Sequence, residues 1–384
     1  MAPIEEALDE PFECNRIEVR LISLPLKKPF TISRGEIKRK GALLVRIDEG
    51  WGEAPVLPEP IYNEEDSATA WHIAVDLAAP RLLELHEARG HLTLRDVCSL
   101  LDWIRGHRVT LSAFTSAFTV MVAERKHMPL AKLLGGVKDR VRLQHSIGLG
   151  SLEHLRREIE YAWSLGIEVI KLKVKPGRDE EQVSYARRLG AEKLTIDGNG
   201  AYSYRHLSHL AQLARRYKLW EVEQPFKPYD KVYHGKLASI AECTVSLDES
   251  VTSLEDVVEA LEVFPKGRLG VNIKPPRVGG PLEALKIAKL SQEAGVHTFV
   301  GGMLETSIGR AVNIAVGSLR GVGEYLTSDI SPPLEFYEED LVEDTFTVKE
   351  GCVEVRSKPG LGFQVDHAKV EKYTVKAKEF KPRS

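Results

Sequence analysis

The chain has 384 residues, 43% of them apolar and 28% charged, and 53 Lys and Arg set against 56 Asp and Glu leave a net charge of −3. At roughly one domain per 150 residues this is enough for two or three packed units, and the mixed signs offer no basic track for a nucleic-acid backbone. No apolar run approaches the ~18 residues of a membrane span. The acidic start (Glu5, Glu6, Asp9, Glu10, Glu13) is unlike a signal peptide, so the expectation is a cytoplasmic protein that binds neither nucleic acid nor membrane. Cys14, Cys98, Cys243 and Cys352 lie far apart, without a CxxC or a Cys/His cluster, and read as buried small apolar residues.

In chain order, residues 16–22 (RIEVRLI) and 42–47 (ALLVRI) alternate as half-buried strands do. From 65 to 87 and from 94 to 134 apolar residues recur three and four apart, giving helices after strands and hence an α+β domain over 1–137. The texture then changes. Short β-branched runs at 141–147, 169–174, 193–196, 219–222, 243–247, 269–273, 297–300 and 324–327 alternate with amphipathic helices. One such helix follows the candidate N-cap Ser151, turns Leu152, Leu155, Ile159 and Trp163 to one side and stops at Gly166; another starts at Pro281 and stops before Gly295. Eight such strand-helix units fit a (β/α)8-type TIM barrel over 138–335. Residues 346–355 (FTVKEGCVEV) read as a hairpin in a segment, 336–384, that returns to the N-terminal domain. Trp51, Trp71 and Trp103 share no helical or strand spacing and are assigned to the core, and His297 opens its strand at the end away from the barrel mouth.

The polar residues closing successive predicted strands are Lys173, Asp197, Glu223, Asp248 and Lys274, separated by 24, 26, 25 and 26 residues, one strand-helix unit each time. Parallel barrel strands all point one way, so these five residues ring the C-terminal mouth. Three carboxylates there repel one another unless a cation lies between them, and oxygen donors that leave room for water and substrate suit Mg²⁺. Lysines flank the acids on both sides. A desolvated lysine beside a dication is suited to act as a base.

The segments KLK (171–173), IDGN (196–199), EQP (223–225), LDES (247–250) and NIKP (272–275) resemble the muconate lactonising enzyme subgroup of the enolase superfamily. PFTISRG (29–35), WGEAP (51–55), PLAKLLGG (129–136), RVGG (277–280), GGMLETSIGR (301–310) and SDISPP (328–333) narrow the resemblance to the o-succinylbenzoate synthase and N-succinylamino acid racemase family. It runs over nearly the whole chain. It implies an N-terminal α+β capping domain, completed by C-terminal strands, over the barrel. Carried over by position, it implies Asp197, Glu223 and Asp248 as ligands of Mg²⁺ or Mn²⁺, and Lys173 and Lys274 as the catalytic lysines. It further implies Lys171 as a neighbour that tunes Lys173, Asn199 near the metal, and Arg277 as the arginine associated with members able to racemise. Ser33, Tyr62, Gly302, Met303, Asp329 and Ile330 are the candidate substrate contacts. Gly198 stands where the family commonly has Ala or Val and Ser307 where Gly is common, and residues 118–124 (FTVMVAE) lack a Trp-Asp pair often seen in that helix.

The implied activity is loss of a proton beside a carboxylate, through an enediolate. The outcome is dehydration to o-succinylbenzoate in menaquinone synthesis, racemisation of an N-succinyl or other N-acylamino acid, or both, in an expected homo-oligomer. A cycloisomerase and a dipeptide epimerase are the enzymatic alternatives within the superfamily. At the place where epimerases hold an ammonium with an Asp-x-Asp pair, this chain reads Ser328, Asp329, Ile330, Ser331. Where acid-sugar dehydratases carry a strand-seven histidine, this chain has Gly301 and Gly302. A metal-binding scaffold without catalysis gives no use for two lysines facing across a dication.

Overall fold

The structure is a computed structural model that describes residues 2–32 and 35–382. Strands β1 (Ile17–Ile32), β2 (Gly35–Ile47) and β3 (Gly50–Ala54) form an antiparallel sheet in that order. Behind it a continuous helical stretch over 67–89 begins where the Asp66 carboxylate accepts the amides of Ala68 and Thr69, and ends at Gly90 with φ +77°. The predicted helix over 94–134 is broken into Leu94–Cys98, Leu100–Trp103, Arg108–Arg125 and Leu130–Leu133. Gly106 and His107 in left-handed conformation make one break, and Pro129 closes another just before Leu130. Helix Arg108–Arg125 is buried on all sides from Val109 to Ala123. It lies so close to β3 that a Cβ on Gly50 or Gly52 would come within 2.1 and 2.0 Å of the Ala117 and Ala113 carbonyls, which accounts for both glycines.

The predicted first barrel strand divides at Leu143 into β4 (Arg140–Arg142) and β5 (Gln144–Ile147). β5 joins β6 (Val169–Lys173), β7 (Lys193–Asp197), β8 (Glu221–Glu223), β9 (Thr244–Leu247), β10 (Leu269–Ile273) and β11 (His297–Val300) in one parallel sheet that follows sequence order. The predicted eighth strand at 324–327 does not form. Gly321 and Gly323 turn the chain at φ +82° and +69°, and Pro332 follows, so only a short extended piece remains to pair. That piece still closes the ring. Ser328 bridges Leu143 on one side, and Asp329 bridges Gly301 on the other.

The expected C-terminal hairpin is β12 (Val348–Lys349) and β13 (Cys352–Glu354), but it pairs with β4 rather than packing against the N-terminal domain. The short antiparallel β4, split from the barrel, supplies the open edge that takes it. The strand that does complete the capping sheet is β14 (Thr374–Phe380), antiparallel on the outer side of β1. Cys14 and Cys243 are buried as expected, whereas Cys98 and Cys352 are only half-buried. Trp51 is core, but Trp103 is 52% exposed beneath the Arg81 guanidinium. His297 stacks on Tyr325 at 4.0 Å, away from the mouth. Among the described residues no helix is long and apolar enough to cross a membrane.

Candidate active site

The five predicted ring residues come together as one charge network. Lys173 Nζ lies 2.5 Å from Asp197 Oδ2, and the Asn199 amide donates to Oδ1 at 2.9 Å. Glu223 accepts from Lys171 Nζ at 2.9 Å and from the Asn272 side-chain amide at 2.7 Å. Asp248 accepts from Lys274 Nζ at 2.9 Å and from Arg277 Nη1 at 2.6 Å. All six carboxylate oxygens are therefore engaged, and every lysine of the ring is tied to an acid. The loops are bent to allow it: Asn199 and Gln224 adopt φ +40° and +35°. The Gln224 side chain then accepts the amides of Asp248 and Ser250 and holds the LDES turn in place.

Burial pushes the Glu223 carboxyl up; Lys171 opposes this, and the charges of Asp197 and Asp248 add to it. Burial also works against ionisation of Asp248, but Arg277 and Lys274 hold its carboxyl well below the usual range. The lysines respond in the opposite sense. Burial favours neutral Lys173, yet Asp197 outweighs it and the pKa is raised; the like charge of Lys171 pulls down, as expected. Burial likewise works to lower Lys274, but Asp248 holds it above the ordinary lysine range. Arg277 pulls Lys274 down, in the expected sense, but as the smaller influence. Its guanidinium is buried and also donates to the carbonyls of Val251 and Asn272, so it fixes the far side of Asp248.

The candidate substrate contacts divide. The Tyr62 hydroxyl reaches from the capping domain to within 2.8 Å of Lys274 Nζ. Asp329 is held by Lys171 at 2.8 Å and by the Ser146 hydroxyl at 2.7 Å, so it is tied to the lysine beside the ring. Ile330 is buried, with its Cδ1 toward Gly317, the last residue of helix Ser307–Gly317. Gly302 is a position where a Cβ would lie 2.0 Å from an Arg310 nitrogen, and Met303 is buried in the same turn. Ser33 lies outside the described residues.

Both departures from the family pattern have local causes. A Cβ on Gly198 would come within 2.8 Å of Pro225 Cα. Ser307 is buried, and its hydroxyl donates to Asp340 at 2.5 Å. In place of a Trp-Asp pair, the buried helix Arg108–Arg125 meets the barrel through Thr115, whose hydroxyl donates to the Gly279 carbonyl.

Residues not anticipated from the sequence include Asn272, Ser146, Glu221 and Glu249. Glu249 accepts from the Asn199 side chain, and its other oxygen is buried without a partner; burial and the charges of Asp248 and Asp197 push it up to about 7. Among the described residues, no three His, Cys, Asp or Glu side chains stand as a set that holds a metal ion as placed. The donor chemistry nonetheless fits a hard divalent cation. Three buried carboxylates close successive strands of the sheet, the charges of Asp197 and Asp248 add to the burial that pushes Glu223 up, and each carboxylate keeps lone pairs beyond the hydrogen bonds it accepts.

A parallel barrel with an antiparallel capping sheet, carrying acids and lysines at the strand ends, is the architecture of a barrel enzyme. The family model for enolase C-terminal domain-like proteins matches residues 154–369. The o-succinylbenzoate synthase of Bacillus subtilis is 34% identical over 96% of this chain and 98% of its own, and the N-succinylamino acid racemase of Thermus thermophilus is 34% identical over 93% and 96%. A more distant relative, the L-Ala-D/L-Glu epimerase of Bacillus subtilis, is 27% identical over 90% and 95%. A solved structure described as a probable mandelate racemase from Alicyclobacillus acidocaldarius superposes with a TM-score of 0.90 at 30% identity, covering 97% of this chain and 99% of that one. The chain belongs to the enolase superfamily and, within it, to the family of o-succinylbenzoate synthases and N-succinylamino acid racemases.

Proposed function

We propose that this protein removes the proton beside a substrate carboxylate and carries the resulting enediolate forward in one of two ways, dehydration to o-succinylbenzoate or reprotonation of an N-succinylamino acid. The observation that carries the reading is the pair Lys173 and Lys274, four strands apart in the sheet order, each held against its own acid with three carboxylates between them. Asp197, Glu223 and Asp248 would hold Mg²⁺, or Mn²⁺ in its place. Bound there, the cation supplies positive charge that stabilises the enediolate. Lys173 takes the proton from the α-carbon on its side. In dehydration it returns that proton to the departing hydroxyl, which leaves as water, while Lys274 remains a positive charge near the intermediate. In racemisation Lys274 delivers a proton to the opposite side of the same carbon.

Tyr62 and Asp248 orient Lys274, and Asp329 and Glu223 fix Lys171 beside Lys173. The engagement of Asp329 with Lys171, together with Ser331 in place of a second aspartate, weighs against an ammonium-holding epimerase. A cytoplasmic role in menaquinone synthesis follows if dehydration is the physiological reaction. The test is a side-by-side assay of dehydration, N-succinylamino acid racemisation and Ala-Glu epimerisation with Mg²⁺ present. Turnover of either of the first two, abolished by chelation and restored by Mg²⁺, is expected. Preferred epimerisation, or full activity in chelator, overturns the reading.

A further inference from the structure

Residues 301–306, between β11 and helix Ser307–Gly317, touch the ring on one side and the capping domain on the other. On the ring side Gly301 bridges Asp329, and a Cβ at Gly301 would come within 2.3 Å of Asn272, whose side chain donates to Glu223. In the middle of the turn Leu304 adopts φ +60°, a left-handed conformation that is strained for a non-glycine residue. Such strain persists only where surrounding contacts impose it.

Three contacts do so. The Tyr337 hydroxyl donates to the Leu304 carbonyl at 2.5 Å, and the Met303 amide donates to Glu305 at 2.9 Å. The third comes from β3 of the capping domain. Glu53 is buried, and its carboxylate accepts the Thr306 amide at 3.0 and 3.1 Å, the Thr306 hydroxyl at 2.6 Å and the Gly309 amide at 3.0 Å. It does for a barrel helix what an N-terminal acid of the helix's own sequence ordinarily does. A side chain at Gly309 would crowd both acids, since a Cβ there would lie 2.7 Å from Glu305 Cβ and 3.1 Å from Glu53 Oε2.

We propose that Glu53 is a positioning residue of the active site: from the capping domain it holds the 301–306 turn in its strained form, and so sets where that turn stands against Asn272 and Asp329 at the barrel mouth. The proposal rests on the reading of the ring given above. If Glu53 lets go, Leu304 relaxes toward negative φ and the turn moves; a misplacement of ~1 Å near reacting groups costs on the order of 10²-fold in rate.

The same helix provides the control. Asp340 accepts the amide and hydroxyl of Ser307, so it caps the same helix without holding the turn. Kinetics of Glu53→Gln, Tyr337→Phe and Asp340→Asn with N-succinyl and N-acetyl forms of one amino acid make the comparison. The ratio of kcat/KM for the two acyl groups is expected to shift at least fivefold in Glu53→Gln, and in the same direction in Tyr337→Phe. Asp340→Asn should leave it within twofold while lowering the melting temperature. An unchanged ratio in Glu53→Gln, or an equal shift in Asp340→Asn, overturns the proposal. Amide hydrogen exchange reads the clamp without turnover: Thr306 and Gly309 should exchange faster in Glu53→Gln, and Ser307 in Asp340→Asn. If the wild-type protein processes neither substrate, the proposed activity fails on its own, and unchanged protection of Thr306 and Gly309 in Glu53→Gln still overturns the clamp.

Discussion

At the scale of single residues, the two lysines differ in what surrounds them. The Lys173 side chain is 33% exposed toward the mouth, while that of Lys274 is 9% exposed and held between Asp248 and the Tyr62 hydroxyl. A lone base on each side of the α-carbon makes a sharp prediction for the racemisation reaction. Lys173→Ala should lose dehydration and racemisation by about 10² to 10⁴-fold with fold retained, the usual contribution of a general base. Lys274→Ala should lose racemisation but still exchange the α-hydrogen of one enantiomer with deuterated solvent, because Lys173 remains on its own side. Proton NMR of each enantiomer in D₂O measures this directly; exchange of both enantiomers by the Lys274 variant would remove the assignment of one lysine per face.

At the scale of the element, the strand period explains both what the sequence made legible and what was passed over. Ring residues were readable because each ends a β-branched run at a constant spacing. Since side chains two apart on a strand share a face, the residues two before the ring, Lys171, Thr195, Glu221, Ser246 and Asn272, point into the same barrel, and all five are buried. That rule was sufficient to find Asn272 and Glu221 beside the already noted Lys171. Other parts had no local signal. The short piece at Ser328 and Asp329 closes the ring with too few residues for a strand pattern, and the contact of Thr306 with Glu53 joins positions far apart in the chain. The helix predicted over 94–134 kept its apolar period across breaks made by local turn residues.

The second tier carries its own prediction. Glu221 has no exposure; burial, reinforced by Glu223, pushes it up to about 8, and the neighbouring Ser246 hydroxyl offsets this only in part by hydrogen bonding. A buried carboxyl with most of its lone pairs unsatisfied costs up to about 1–3 kcal/mol. Glu221→Met, similar in length and without polar atoms, should therefore raise the unfolding free energy by about that amount in a denaturant titration. A loss of stability would mean that the carboxyl is satisfied by something bound in the barrel interior.

At the scale of the whole molecule, the capping domain and the barrel meet through buried charge. Lys40 of β2 and Glu53 of β3 share one cluster with Glu305, Arg310, Tyr337 and Asp340. Burial pushes Glu53 up to about 7 and Lys40 down to about 8, with the Glu305 and Glu53 charges acting on Lys40 in the opposite sense. The signs follow from which state binds more protons. Between about pH 4.5, the reference value, and about 7, folded Glu53 holds its proton where the unfolded chain has lost it, so stability falls as pH rises through that window. Between about pH 8 and 10.5 folded Lys40 has lost a proton that the unfolded chain keeps, so stability recovers. Lys40→Met separates the two. Near pH 5.5 Glu53 is largely protonated, and removing a buried ammonium costs little or is favourable; near pH 7.5, between the two values, Glu53 is mostly ionised while Lys40 is still mostly charged, and the variant lacks that counter-charge. Relative to the wild-type chain, the variant should therefore lose about 1–3 kcal/mol of stability between these pH values, one pKa unit corresponding to about 1.4 kcal/mol. Urea titrations of both proteins across that range measure the difference, and a difference that stays flat with pH would show that Lys40 and Glu53 are not coupled across the domain boundary.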